Sequence, residues 1–482
     1  PRKHGKKVTL IGAFALTPRY QGAGSSMVNP TRVDSLKDAM EAAELDMVGY
    51  CAGYERSGKP NKAYLDEAVS QARTADVVIL CIGLDESSES EGLDRTHIGI
   101  PAVQKQLLDA VTAANPNVVA VVSAGSVIET DWVEQCKAVV HGYLGGQAGA
   151  SAMLEVLTGW QNPCGKLAET IPLRYEDTPA ARYFPGKKQN AEYREGLYVC
   201  YRYYETANTA VRYPFGYGLS YTTFAYSDLK VNAEKVTFTI TNTGSVAGAE
   251  IAQLYVAKPD AAVFRPAKEL KGFTKVFLKA GESKTVTIPL DDKAFRYWNV
   301  ATDRWEVEGG SYQLLVSANV QDIRLTAEIT LPGTGAPDPY AGKDLAHYRT
   351  AHVQEVPDAE FEALLGRPLP EETTAIDRTM TLGELHHSRS PLCWLISGVL
   401  TLLVRSGEKN GKPNLNILFQ YNMPLRGLAQ MTGGIIGEET VDGLVMEAKG
   451  FWVIGILRAL VGLLQNFVAN SRYQAKLDEQ SR

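Results

Sequence analysis

Paired cysteines are missing from this chain. Its six cysteines, Cys51, Cys81, Cys136, Cys164, Cys200 and Cys393, stand far apart and form no CxxC pair. That spacing argues against a zinc site and a disulfide framework. Buried free thiols in a reducing compartment fit better, with Cys81 inside an apolar run, so the expected location is cytoplasmic. Basic runs are missing too, and the net charge is −6. Phosphate binding needs a positive footprint, so no nucleic acid partner is expected. The seven histidines make no ligand set. His386 and His387 are adjacent rather than one helical turn apart, and no acidic partner stands at the usual spacing, so no metal is expected. Repeats and low-complexity blocks do not occur. Two apolar runs near the C-terminal end, residues 391–404 and 451–468, fall short of a clean bilayer span. The first is too short and the second is broken by Arg458. No membrane span is expected, and burial against another domain or a second protomer, as in a homodimer, is the preferred reading.

What is present suits a soluble globular protein: 482 residues, 45% apolar and 22% charged, enough for two to four domains with full cores. Short apolar runs at 8–14, 76–84, 118–123 and 138–143 alternate with helical patterns at 32–43, 62–74, 102–114 and 150–157. Alternation of that kind predicts βαβ units and a parallel sheet covered on both faces, ending near residue 175. A Tyr-rich connector follows over 176–212. Its Tyr198 to Tyr204 aromatics suit a segment packed on a neighbouring domain better than a sugar platform. After Pro214 the period changes to two, with Val236, Phe238 and Ile240 alternating with threonines. Further strands at 251–256, 274–278, 284–288 and 312–316 predict a β-sandwich over 213–332. Residues 333–390 read as a linker and 391–482 as a helical extension.

The chemistry-bearing stretch is Glu89-Ser90-Glu91-Gly92-Leu93-Asp94-Arg95, which follows the apolar strand at 76–84. Ligands of open α/β sheets bind beyond the carboxyl ends of the strands. Crowded carboxyls there can keep one proton near neutral pH, as a general acid needs. A solvated acidic loop is the competing reading of the same residues. A second stretch, Arg19 to Ser26 (RYQGAGSS), looks superficially like a dinucleotide fingerprint. Gly22 and Gly24 lie too far past their strand, however, and the third glycine is missing. Two glycines do permit close backbone approach, and Gln21, Ser25 and Ser26 offer hydrogen bonds suited to sugar hydroxyls.

These two stretches combine with Gly145-Gly146-Gln147-Ala148-Gly149, residues 162–167 (NPCGKL), 192–204 (EYREGLYVCYRYY) and 214–221 (PFGYGLSY). In this order the chain resembles the part of glycoside hydrolase family 3 β-glucosidases that follows their catalytic barrel, over roughly residues 6–332. The resemblance implies an (α/β)6-type sandwich with a mostly parallel sheet, then a fibronectin type III-like domain. It assigns the general acid/base to Glu91, with Glu89 the alternative on general chemistry. Asp94 and Arg95 then pair with one another or with loop backbone and hold the loop. Gln21, Ser25 and Ser26 border the pocket of the non-reducing sugar. The family's nucleophile is an Asp in a Ser-Asp-Trp motif on the barrel, and no such motif occurs here. Thr130-Asp131-Trp132 lacks the barrel context. The region after residue 333 is too short for the eight strand–helix units of a barrel.

The expectation is therefore a retaining β-glucosidase acting on a terminal non-reducing β-D-glucosyl residue of a β-glucoside or short β-linked oligosaccharide, without a cofactor. Half of the active site must come from a barrel on a separate chain or on a part outside this sequence. The N-terminal PRKHGKKVTLIG reads as a cut rather than a signal peptide. The alternatives are a β-xylosidase of the same family and a non-catalytic carbohydrate-binding or scaffolding protein. A nucleotide-dependent α/β enzyme is the weakest reading.

Overall fold

The computed structural model describes residues 5–91, 94–186, 190–371, 375–409 and 414–480. Its first unit is a five-stranded, wholly parallel sheet built from β1 (Val8–Ile11), β2 (Met47–Cys51), β3 (Val77–Gly83), β4 (Val118–Ser123) and β5 (Ala138–His141), in the order β2-β1-β3-β4-β5. Almost every residue of β1 and β3 is buried, because helices α1 (Leu36–Ala42), α2 (Lys62–Thr74), α3 (Ala102–Ala114) and α4 (Gly149–Thr158) cover the sheet. Full burial of side chains such as Leu10, Leu80 and Ile82 contributes roughly 1.5–3 kcal/mol each. Side-chain caps set the helix starts. Ser35 accepts from the Asp38 N–H and Asn61 from the Tyr64 N–H, so α1 begins four residues after Arg32, its expected first residue, once its cap is in place. β2 was not expected from the sequence. It is an edge strand, half-exposed and carrying Gly49, so it lacks the continuous apolar signature of its neighbours.

Chain order reverses between β1 and β3, which makes their carboxyl ends the topological switch point. Gly83 closes β3 there with φ +144°, and a Cβ at this position would lie 1.9 Å from the Ser123 carbonyl oxygen. Only glycine lets the two strand ends pass that closely before the chain turns into the acidic loop.

The short pair β6 (Ile171–Pro172) and β7 (Val211–Tyr213) brackets the connector, within which α5 (Tyr201–Thr206) forms. The connector's tyrosines are spent on packing. Tyr198 and Tyr204 join Phe264 and Tyr348, and Tyr201 joins Tyr255 and Leu315.

A β-sandwich follows. One sheet holds β11 (Glu269–Leu278), β10 (Gly248–Ala257), β15 (Gly310–Ser317) and β16 (Ile323–Leu331). The other holds β12 (Ser283–Pro289), β9 (Lys235–Asn242) and β8 (Phe224–Val231). Val236, Phe238 and Ile240 point into the core, while Thr237, Thr239 and Thr241 meet Thr287, Thr285 and Ser283 hydroxyl to hydroxyl on the outer face. A hairpin of β13 (Arg296–Asn299) and β14 (Arg304–Val307) stands outside both sheets.

The stretch read as a linker does not run free. α6 (Ala346–Thr350) and α7 (Asp358–Leu365) dock on the connector, where Gln354 donates to the carbonyls of Glu176 and Thr178 and Arg194 donates to that of Val356. The helical extension comprises α8 (Pro391–Lys409), α9 (Leu415–Asn422), α10 (Leu425–Met431), α11 (Glu438–Ala448) and α12 (Trp452–Gln480). α12 is long and apolar enough to cross a membrane by length and composition, and only 17% of its apolar window is buried.

Candidate active site

Both candidate loops leave the switch point, one from β1 and one from β3, and they meet. The Glu91 N–H donates to the Ala23 carbonyl at 3.1 Å, and the Ser25 N–H donates to Glu91 Oε2 at 2.6 Å. Gly24, between those two partners, has φ +110°. A Cβ on Gly24 would stand 2.5 Å from both Cβ and Oε2 of Glu91. The glycine in RYQGAGSS is therefore required by the carboxylate that lies over it. Glu91 is exposed, and its pKa is lowered, first by the Ser25 backbone N–H and then by the Ser25 hydroxyl. The anion is the favoured form of this carboxyl.

Glu89 points the other way. Its side chain is 9% exposed, and its carboxylate accepts from the Gly125 N–H at 2.7 Å and from the Ser126 hydroxyl. Arg19 stands 3.6 Å away. The two glutamates thus divide, one turned inward as a tie between the β3 and β4 loops, the other outward against the β1 loop. Arg95 completes the tie by donating to Ser126 Oγ at 2.6 Å and to the Val127 carbonyl at 2.9 Å. Of the two expected partners for Arg95, it is loop backbone and not Asp94 that is found. Asp94 is exposed, and among the described residues it makes no ion pair. Gly92 and Leu93, the centre of the motif, lie outside the described residues.

Gln21 spends its amide inside its own loop. Oε1 accepts from the Val28 N–H at 2.9 Å, and Nε2 donates to the Val28 carbonyl and the Tyr20 hydroxyl. Ser26 lies beside Gly22, where a Cβ would come within 2.8 Å of its hydroxyl. Ser25 reaches Glu91 directly, and Gln21 and Ser26 shape the turn that presents it. Asp131 is paired with Lys105 at 2.9 Å. His97 accepts from the Gly99 N–H. Among the described residues no cluster of His, Cys, Asp and Glu is arranged to hold a metal.

Sequence reasoning missed the keystone, Arg19. It is 2% exposed and donates to the carbonyls of Gln21, Leu84 and Glu89 while its charge faces Glu86 and Glu89. One guanidinium fork thereby binds the β1 loop to the chain between the end of β3 and the start of the acidic loop. The available signal was an arginine directly before a glycine-rich turn, opposite a loop crowded with carboxyls. A second unassigned group lies behind it. His141 and Tyr143 stack at 4.0 Å, and burial lowers the His141 pKa and raises that of Glu169.

Comparison with known proteins follows the same division of the chain. Residues 2–221 match the glycosyl hydrolase family 3 C-terminal domain, and residues 250–320 match the fibronectin type III-like domain. An exo-alpha-(1->6)-L-arabinopyranosidase of Bifidobacterium breve is 45% identical over 346 residues, covering 70% of this chain and 46% of the relative. Thermostable beta-glucosidase B of Acetivibrio thermocellus is 41% identical over 457 residues, covering 92% and 56%. Among solved structures, the GH3 beta-glucosidase of Bifidobacterium adolescentis aligns with TM-score 0.66 and 40% identity over 81% of this chain and 53% of that one. DesR, a beta-glucosidase from Streptomyces venezuelae in complex with D-glucose, aligns with TM-score 0.63 and 26% identity over 67% and 56%. The chain spans about half the length of the relatives it matches. With its parallel α/β unit, its β-sandwich and both family matches in register, the chain belongs to glycoside hydrolase family 3.

Proposed function

We propose that this chain supplies the general acid/base and one wall of the sugar pocket of a retaining β-glucosidase, with the nucleophilic Asp on a barrel outside this sequence. The observation that carries the reading is the seating of Glu91 on Gly24 and Ser25 at the switch point. Retaining hydrolysis needs one carboxyl that first protonates the leaving oxygen and then activates water. Glu91 stands exposed at the right place for a group that must reach a substrate. Its lowered pKa suits the second, basic half of that cycle. For the first half it must gain a proton, which displacement of water by a bound sugar and a barrel wall would favour by disfavouring the anion. Arg19, Glu89 and Arg95 hold the two loops so that Glu91 keeps its place.

The substrate is proposed as a terminal β-D-glucosyl group on a β-glucoside or short β-linked oligosaccharide, in line with the beta-glucosidase relatives. The arabinopyranosidase relative makes an L-arabinopyranoside the second reading. Six free thiols favour a reducing, cytoplasmic location.

The test is made on the protein joined to its barrel. Glu91→Ala should cripple cleavage of alkyl glucosides and disaccharides far more than of aryl glucosides with good leaving groups, and azide should partly restore it. Equal loss on both substrate types without rescue removes Glu91 from the role. The chain alone should leave p-nitrophenyl β-glucoside intact, and turnover by a verified single chain would mean that the nucleophile lies within it.

A further inference from the structure

We propose that α8 and α12 form a self-association face through which two copies of this chain join in a four-helix intermolecular bundle. The two helices start from one corner, where the Arg389 N–H donates to the Ala448 carbonyl and Trp452 Nε1 donates to the Arg389 carbonyl. Each is covered along one narrow stripe only. On α8 the covered stripe runs through Cys393 and Ser397, whose hydroxyl bonds the Gly383 carbonyl. On α12 it runs through Gly455, Ala459 and Gly462, which lie so close to α11 that a Cβ on Gly443 would stand 2.4 Å from the Ala459 nitrogen. Around these stripes both helices are mostly apolar over residues 391–404 and 452–468. Trp394 and Leu402 on α8 and Val453, Leu457, Leu464 and Phe467 on α12 are each 58–72% exposed. A helix segment that stays apolar beyond its one packed stripe is one that something covers.

The size of the face indicates a protein partner. Large apolar side chains at such exposures each offer about 100 Å², and the two helices together offer on the order of 1,000 Å². A standard interface takes about 800 Å² from each partner, and free monomers rarely show a patch beyond a few hundred Å². Polar anchoring disfavours a bilayer. Arg458, inside the apolar stretch of α12, donates to Glu439 at 2.8 Å and Asp442 at 2.9 Å, and Asn466 and Asn470 donate to the Gly434 carbonyl. A spanning α12 would leave α11 and strip Arg458 of both carboxylates in hydrocarbon. A helix lying on a membrane carries Lys and Arg on its polar side facing outward, whereas Arg458 of α12 is turned onto Glu439 and Asp442 of α11. An isologous two-fold pairing needs only the face itself, because each copy presents the same two helices. α8 also belongs to a shared part of the chain, since an alignment covering 92% of the chain must extend past residue 409.

Sedimentation equilibrium of the whole chain across a dilution series tests this. The expected species is twice the mass of the 52.5-kDa chain, dissociating on dilution. Leu402→Glu, and separately Leu464→Glu with Phe467→Glu, should give monomer at every concentration with the circular dichroism of the parent, since all three side chains are exposed. A monomeric parent overturns the proposal, as does a dimer that survives the substitutions. Flotation of the parent, but not of the variants, with phosphatidylcholine/phosphatidylglycerol vesicles would assign the face to a membrane. Conversion of the dimer to a one-to-one complex on adding the barrel would assign it to the barrel.

Discussion

Gly24→Ala tests the coupling of the two loops without needing a reaction. The φ of +110° at this position is one that an alanine adopts only under strain of about 1–3 kcal/mol. The new Cβ would also lie 2.5 Å from Cβ and Oε2 of Glu91, far inside the roughly 3.5–4.0 Å at which carbon atoms attract. Glu91 must swing away and release the Ser25 N–H. Because the loop is exposed it can rearrange in part, so the global loss should fall at the lower end, about 1–2 kcal/mol, or roughly 2–4 °C in Tm per kcal/mol for a domain of this size. The second readout is the carboxyl titration of Glu91, followed by NMR. In the parent it titrates below an ordinary glutamate, because the Ser25 N–H and hydroxyl hold the anion. In Gly24→Ala it should return toward the ordinary value. A group with a lowered folded-state pKa stabilises the fold above the ordinary glutamate range, and that contribution is lost as pH falls through the folded-state value. The part of the stability difference due to the Ser25 contact should therefore shrink on acidification. An alanine variant that keeps both the parent's Tm and its depressed Glu91 titration would refute the coupling.

Arg19→Ala removes the cation facing the buried Glu89 carboxylate and the Arg19 donors to three carbonyls, and should cost about 3–5 kcal/mol in urea unfolding. A loss below about 0.5 kcal/mol, the range of ordinary surface substitutions, would show that the fork holds nothing. The two glutamates should separate by stability alone. Glu89→Gln disturbs the Gly125 and Ser126 contacts and should lower Tm, while Glu91→Gln at an exposed carboxyl should leave Tm near that of the parent. Equal effects would contradict their division into an inward tie and an outward, exposed carboxyl. Burial pushes the Cys51 and Cys81 thiols up to about 12. At pH 8 only about one in ten thousand is then thiolate, so iodoacetamide should spare both in the folded chain, as peptide mass mapping would read.

Much of the fold was legible because its interior strands and helices carry unmistakable periods. The helices at 62–74 and 102–114 appear with the expected bounds, as does the strand at 118–123. β8, by contrast, escaped because it carries mixed side chains: Tyr226 and Leu229 sit among Ser227, Asp228 and Lys230. The helices within 333–390 escaped for a related reason. Each is only one or two turns long, too short to show a period, and is held by the connector rather than by its own pattern.

By itself, the sequence determined the composition of the site: two glutamates and an arginine after one strand, and glycines and serines after another. It also determined the parallel α/β class, because continuous apolar runs can be buried only as interior strands. Tertiary structure alone decided what each carboxyl does. Glu89 and Glu91 are two residues apart and chemically identical, yet one faces Arg19 and the Gly125 N–H and the other faces Ser25. That choice depends on where the β1 and β4 loops pass, and those loops lie 66 and 36 residues away along the chain. Contacts across such separations are set by the order of strands at the switch point, which no local pattern encodes.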